Sequence, residues 1–171
     1  MWLRDQLPKD ITSIRTILYG YDTQLAKSES FQTIDDIALS FVVRLKAIGR
    51  SSPSAKPLLF LVHSLGGIIL KRALMLLATS SDTEMFMLDA VNAIILFGVP
   101  NRGMYHSHLL AMVGDQPNEA LIKLLSPGSS YLSDLDDRFS GVALLRNIRL
   151  ISVYETQRSQ LVEVSSQFNP S

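Results

Sequence analysis

The chain has 171 residues, 47% hydrophobic and 19% charged, enough to bury a core as one domain over residues 1–171. Sixteen basic and sixteen acidic residues balance to zero net charge, and with no basic cluster the chain lacks the footprint of a nucleic-acid binder. The absence of cysteine excludes disulfides and thiolate metal sites, and neither a basic-then-apolar leader nor an apolar run of the ~18 residues a membrane span needs is present.

In chain order, Trp2–Leu7 reads as a short helix ended by Pro8, and Ile14–Tyr19 alternates apolar residues as a strand does. Ile34, Ile37, Ala38, Phe41, Val42, Leu45 and Ile48 then recur at helical spacing behind Thr33, a fitting N-cap. Gly49 and the SSPS tract at 51–54 end that helix, the tract being a surface loop within one domain. A strand over 57–62, a helix over 66–78, a polar link and a strand over 91–97 follow. Helices near 106–113, 117–125 and 130–144 and a last strand over 148–154 complete the chain. Three of the four strands are short continuous apolar runs, the pattern of a parallel sheet with helices on both faces. The expectation is an α/β fold with Ile14–Tyr19, Leu58–Val62 and Ala93–Phe97 as neighbours joined by right-handed crossovers.

The chemistry concentrates where the run ending at Val62 meets His63-Ser64-Leu65-Gly66-Gly67 and a helix begins at once. Ser-x-Gly alone is common; a strand, a tight turn and a helix around it are not. A serine at that apex sits in strained backbone, its hydroxyl clear of the sheet and its own N–H near the positive end of the next helix. Both features suit a nucleophile. Gly66 is expected to let the turn close and Gly67 to let the helix pack tightly.

These residues resemble the nucleophile elbow of α/β-hydrolases. More closely, the chain resembles lipase-like serine esterases that include the mitochondria- and ER-associated "serine active site containing" proteins, and the hydrolase modules of fungal NACHT-type proteins. Trp2-Leu3-Arg4-Asp5-Gln6-Leu7-Pro8 and Tyr19-Gly20-Tyr21-Asp22 are similar to upstream segments of that family. Phe97-Gly98-Val99-Pro100-Asn101-Arg102-Gly103 and Ile151-Ser152-Val153-Tyr154-Glu155-Thr156 are similar to two of its strand ends. The resemblance implies an α/β-hydrolase-type three-layer sandwich with a mostly parallel sheet, acyl-ester hydrolysis on an ester or lipid substrate, no cofactor or metal, and an intracellular place at mitochondria or the ER.

A serine hydrolase needs a base for the hydroxyl proton, a carboxylate to hold that base, and two N–H donors for the oxyanion. Ser64 is the candidate nucleophile, the Leu65 N–H one oxyanion donor, and Glu155, at the family's acid-bearing position, the candidate carboxylate. His63 is expected to point away from the serine and serve the fold. Asn101 and Arg102 stand at the rim, Asn101 where the family has histidine and Arg102 poised to brace a carboxylate. Val62 replaces the elbow's usual glycine. Asp134, Asp136 and Asp137 read as the solvated face of a helix. The base is missing: no histidine follows residue 108. His106 and His108 read as exposed loop residues, the approach of one of them to Ser64 being the alternative. The family's Gly-rich oxyanion loop has no counterpart either. The resemblance thus implies a sheet truncated at both ends, self-association through its exposed edges, and an inactive or nearly inactive hydrolase domain. A non-catalytic interaction module of the same fold, or a gene fragment, are the other readings.

Overall fold

A computed structural model describes residues 2–22, 29–48, 57–80, 82–104 and 116–154. The elements run α1 (Trp2–Asp5), α2 (Leu7–Asp10), α3 (Ile34–Ala47), β1 (Leu58–His63), α4 (Leu65–Ala78), α5 (Asp82–Asp89), β2 (Val91–Phe97), α6 (Glu119–Leu124), α7 (Ser130–Leu145) and β3 (Arg149–Val153). The three strands lie side by side in chain order and are parallel throughout. Parallel neighbours need a crossover, and helices supply each one. Val62 pairs with Leu96, His63 with Phe97 and Phe97 with Val153, so the C-terminal ends of all three strands form a single rim.

Local chemistry explains where α3 starts. The Asp36 N–H donates to Thr33 Oγ1 at 3.2 Å and the Thr33 N–H donates to Asp36 Oδ2 at 2.9 Å. This reciprocal capping box satisfies two donors that the first turn leaves orphaned, typically stabilising a helix by about 1 kcal/mol. Behind the cap, Ile34, Ile37, Ala38, Val42 and Leu45 are buried. They pack with Ile68, Ala73, Leu74 and Leu77 of α4, Leu132 and Phe139 of α7, and Ile94 and Leu96 of β2 in one continuous core.

A polar staple crosses the three helices on its outer side. Arg72 donates to both oxygens of Asp35, Nε to Oδ1 at 2.7 Å and Nη2 to Oδ2 at 3.0 Å, and the Tyr131 hydroxyl donates to Oδ1 at 3.2 Å. The Arg72 bond, against a smaller opposing effect of burial, holds the Asp35 carboxyl below its ordinary range. Burial, and then the Asp35 charge, push the Tyr131 hydroxyl up to about 12. A depressed carboxylate contributes stability above its unfolded value and loses it as pH falls through the folded value. Asp35→Asn should therefore be less stable than wild type at neutral pH. That difference should close as pH falls below the ordinary carboxylate range of about 4. Urea midpoints measured across that range check it; a gap independent of pH would mean that Asp35 acts through packing alone.

Several expectations need correction. Ile14–Tyr19 is no strand: it pairs with neither sheet edge, and Ile17 and Leu18 are 50% and 70% exposed. Alternation gives a segment two faces, but a strand exists only as half of a hydrogen-bonded ladder. Rings hold this segment instead. Tyr19 meets Phe41 edge-on at 4.8 Å between centroids, and Phe41 meets Phe60 at 6.1 Å. The expected helical layer on the second sheet face is also not seen among the described residues. Leu58, Phe60 and Val62 face the core, whereas Leu59, Leu61, Phe97, Ile151 and Val153 are 38–55% exposed on the other side. The structure is thus an α/β protein with a small, open, all-parallel sheet. Pro8 does not end a helix; it sits in the first turn of α2, where its missing N–H costs nothing. The polar link after α4 contains α5, which buries Met87 and Leu88. The helix expected near 106–113 lies outside the described residues.

Candidate active site

β1 carries the chain to the rim, and α4 begins after a single intervening residue, Ser64. Its backbone has φ 50° and ψ −127°, a left-handed conformation that typically costs a non-glycine residue about 1–3 kcal/mol. Bonds on both sides enforce it. The Ser64 N–H donates to the Phe97 carbonyl at 2.9 Å, and the Ser64 carbonyl accepts from the Gly67 N–H at 3.0 Å. The hydroxyl does not cap α4 and makes no hydrogen bond among the described residues. The N–H groups of Leu65 and Gly66 open α4, where a helix provides no acceptor and the dipole favours negative charge.

The two glycines differ. A Cβ on Gly67 would lie 2.7 Å from Val99 Cγ1 and closer still to Cγ2, so Val99, just beyond β2, rests directly on the backbone of α4. Among the described residues a Cβ on Gly66 would meet only the Tyr21 hydroxyl, at 3.8 Å. The turn does not need that glycine to close. Tyr21, which sequence reasoning did not single out for the site, lies beside the first turn of α4. Burial first, and Tyr19 second, raise its hydroxyl's pKa. A cavity of about 180 Å³ lined by Tyr19, Tyr21, Ser40 and Arg44 among others does not include Ser64.

His63 is exposed on the open sheet face, in line with Leu59 and Leu61, rather than serving the core. Val62, the departure from the elbow pattern, is half-buried against the core and paired with Leu96. Asn101 lies in the turn after β2, where its Oδ1 accepts from Lys71 Nζ at 2.8 Å. Arg102 is exposed and braces no carboxylate among the described residues. Glu155, His106 and His108 lie outside the described residues.

Asp136 departs from its reading as part of a solvated face. It is ion-paired to Lys71, which is only 2% exposed. The signal was available, since Lys71, with Arg72 beside it, interrupts the apolar run Ile68-Ile69-Leu70 to Leu77 with charge one turn beyond Gly67. Asp134 pairs with Arg138 at 3.3 Å on the exposed side, as expected of a solvated helix face.

A strand, a strained serine and a helix N-terminus on the rim of a parallel sheet form the strand–turn–helix arrangement in which serine-hydrolase nucleophiles are held. Protein SERAC1 of Mus musculus is 28% identical to the chain over 163 residues, and Protein SERAC1 of Homo sapiens 26% over 159. Protein SERAC1 of Danio rerio is 25% identical over 161 residues. Each match takes in 91% of this chain and 24% of the relative, so the chain spans about a quarter of the length of the curated relatives it matches. The chain is a distant relative of these proteins. No family model matches it, and no solved structure matches it.

Proposed function

We propose that this chain carries a serine-hydrolase-type site in which Ser64 is the nucleophile and the Leu65 N–H an oxyanion donor, the reaction being acyl transfer from an ester or lipid to water. One observation carries the reading: Ser64 holds a costly backbone conformation and its hydroxyl has no partner among the described residues. Strain of this kind persists where the surrounding structure enforces it, and it collects at functional sites. Asn101 and Arg102 belong to the rim of the same site, and Glu155 is its acid.

No described residue offers Ser64 a base, since His63 faces out from the open sheet face. A serine hydroxyl without a base is a poor nucleophile, and loss of a triad member typically costs about 10⁴-fold or more. The isolated chain should therefore turn over esters very slowly, and the same observation favours a non-catalytic module as the second reading. A fluorophosphonate probe separates the two. Labelling of wild type but not of Ser64→Ala supports the hydrolase; a folded chain that takes up no probe supports the module.

The finer points belong to the same proposal. Association with mitochondria or the ER rests on the resemblance; no helix among the described residues is long and apolar enough to cross a membrane. β1 and β3 each leave one edge unpaired in the described sheet, and unpaired edges recruit further strands. Sedimentation should show association that grows with concentration; a monomer at every concentration would count against it.

A further inference from the structure

We propose that Lys71 is a positioning residue: through Asn101 it clamps the turn after β2 along α4 and thereby sets the backbone that holds Ser64. The proposal rests on reading Ser64 as the nucleophile, but the clamp has its own geometry. Three contacts step down α4 in order. The Phe97 carbonyl accepts the Ser64 N–H at 2.9 Å, Val99 sits on Gly67, and Asn101 Oδ1 accepts from Lys71 Nζ at 2.8 Å. The turn from Phe97 to Asn101 is therefore laid against the helix at positions 64, 67 and 71. Only the last of these contacts is a charged hydrogen bond.

The lysine is an unusual choice for that place. Burial of an ammonium is strongly unfavourable unless it is paired and hydrogen-bonded, and Lys71 is 2% exposed. Asp136 of α7 supplies the opposite charge, and the Phe139 ring lies 5.3 Å from Nζ. An apolar residue would fill a core position between α4 and α7 at no electrostatic cost. What it would not do is reach the Asn101 carbonyl oxygen. Because an ammonium has only donors, it also fixes the Asn101 amide with its oxygen inward. Asp136 keeps the charge in place, and Asn101 transmits the position to the turn.

The exposed Arg102, next to Asn101 in the sequence, provides a reporter, since trypsin cleaves after it only when the turn opens. In the full chain, Lys71→Met should speed cleavage after Arg102, relative to cleavage at other sites, by about tenfold, the effect of losing one charged hydrogen bond. It should also slow the maximal rate of fluorophosphonate reaction at Ser64 by about tenfold with unchanged probe affinity, as expected of misplacement. Lys71→Arg, which keeps charge and donors, should retain both. Lys71→Met combined with Asp136→Leu should recover the unfolding midpoint, because no charge is left buried, yet keep fast cleavage and slow labelling. Should Lys71→Met not fold, Asn101→Ala, which leaves the ion pair intact, should loosen Arg102 in the same way. The proposal is overturned if the double variant regains wild-type cleavage and labelling, or if neither Lys71→Met nor Asn101→Ala changes cleavage after Arg102. If wild type takes up no probe at all, the hydrolase reading fails while cleavage after Arg102 still decides the clamp.

Discussion

Gly103→Ala should be among the most damaging single-methyl changes in this protein, lowering stability by about 2–5 kcal/mol. Two costs combine. Gly103 has φ +80°, and forcing an alanine into that left-handed region costs about 1–2 kcal/mol. Its new Cβ would also lie 2.5 Å from the Ser126 carbonyl carbon and 2.8 Å from the Pro127 nitrogen, with the Ser126 oxygen closer still. Overpacking of this kind costs about 1–3 kcal/mol. These are backbone atoms, so no rotamer change relieves the clash. The turn they belong to is held by its own bonds, Ser126 N–H to the Lys123 carbonyl at 3.1 Å and Ser129 N–H to the Ser126 carbonyl at 3.2 Å. Nor can Gly103 retreat easily, since the next N–H, of Met104, donates to the Leu125 carbonyl at 2.8 Å. Gly128→Ala supplies the control. It has φ +75° but no described residue within 4 Å of its would-be Cβ, so only the conformational cost of about 1–2 kcal/mol applies. Urea midpoints of the two variants should differ clearly. Equal losses would mean that the Ser126 turn gives way and that the chain after β2 is not pinned there.

The parts legible in the sequence are those set by neighbours along the chain. Thr33 signalled the cap of α3, the apolar runs signalled β1 and β2, and the Ser64 turn was readable because strand, glycines and helix follow one another without a gap. What was not legible depends on contacts across space. Ile14–Tyr19 carries a strand's alternation, but only a ladder partner makes a strand. The polar look of residues 79–90 concealed α5, because Met87 and Leu88 are few yet fully used against α4 and β2. The second sheet face was expected to be covered because Leu59, Leu61 and Ile151 are apolar, and apolarity states what a face tolerates, not what lies on it. Asp136 was placed among solvated acids by its helical spacing beside Asp134 and Asp137. Its partner sits 65 positions earlier, and no local pattern reports an ion pair at that range. Lys71, with Arg72 beside it, carried a hint as charge inside an otherwise apolar helix.

The doubled glycine of the elbow gives the second large effect, because the two residues should respond in opposite directions. Alanine is the better helix former by about 1 kcal/mol. At Gly66 its Cβ would meet, among the described residues, only the Tyr21 hydroxyl in ordinary contact, so Gly66→Ala should raise stability by about 0.5–1 kcal/mol. At Gly67 the same methyl would press on Val99, 2.7 Å from Cγ1, 3.1 Å from Cβ and nearest to Cγ2. All branches of Val99 crowd the site, and a β-branched side chain has few rotamers to escape into. The turn itself must then move away from α4, at a cost of about 1–3 kcal/mol. Trimming the partner should restore the fit. In a double-mutant cycle, Gly67→Ala with Val99→Ala should be less destabilising than the sum of the two single changes, with a coupling of about 1–2 kcal/mol. The consequence reaches the site, because Phe97, whose carbonyl holds the Ser64 N–H, lies two residues before Val99. Gly67→Ala should therefore also slow fluorophosphonate labelling of Ser64, and Val99→Ala should recover much of that rate. If Gly67→Ala stabilises the chain as Gly66→Ala does, with additive energies across the cycle, then Val99 does not rest on α4, and the second step of the clamp around Ser64 is lost.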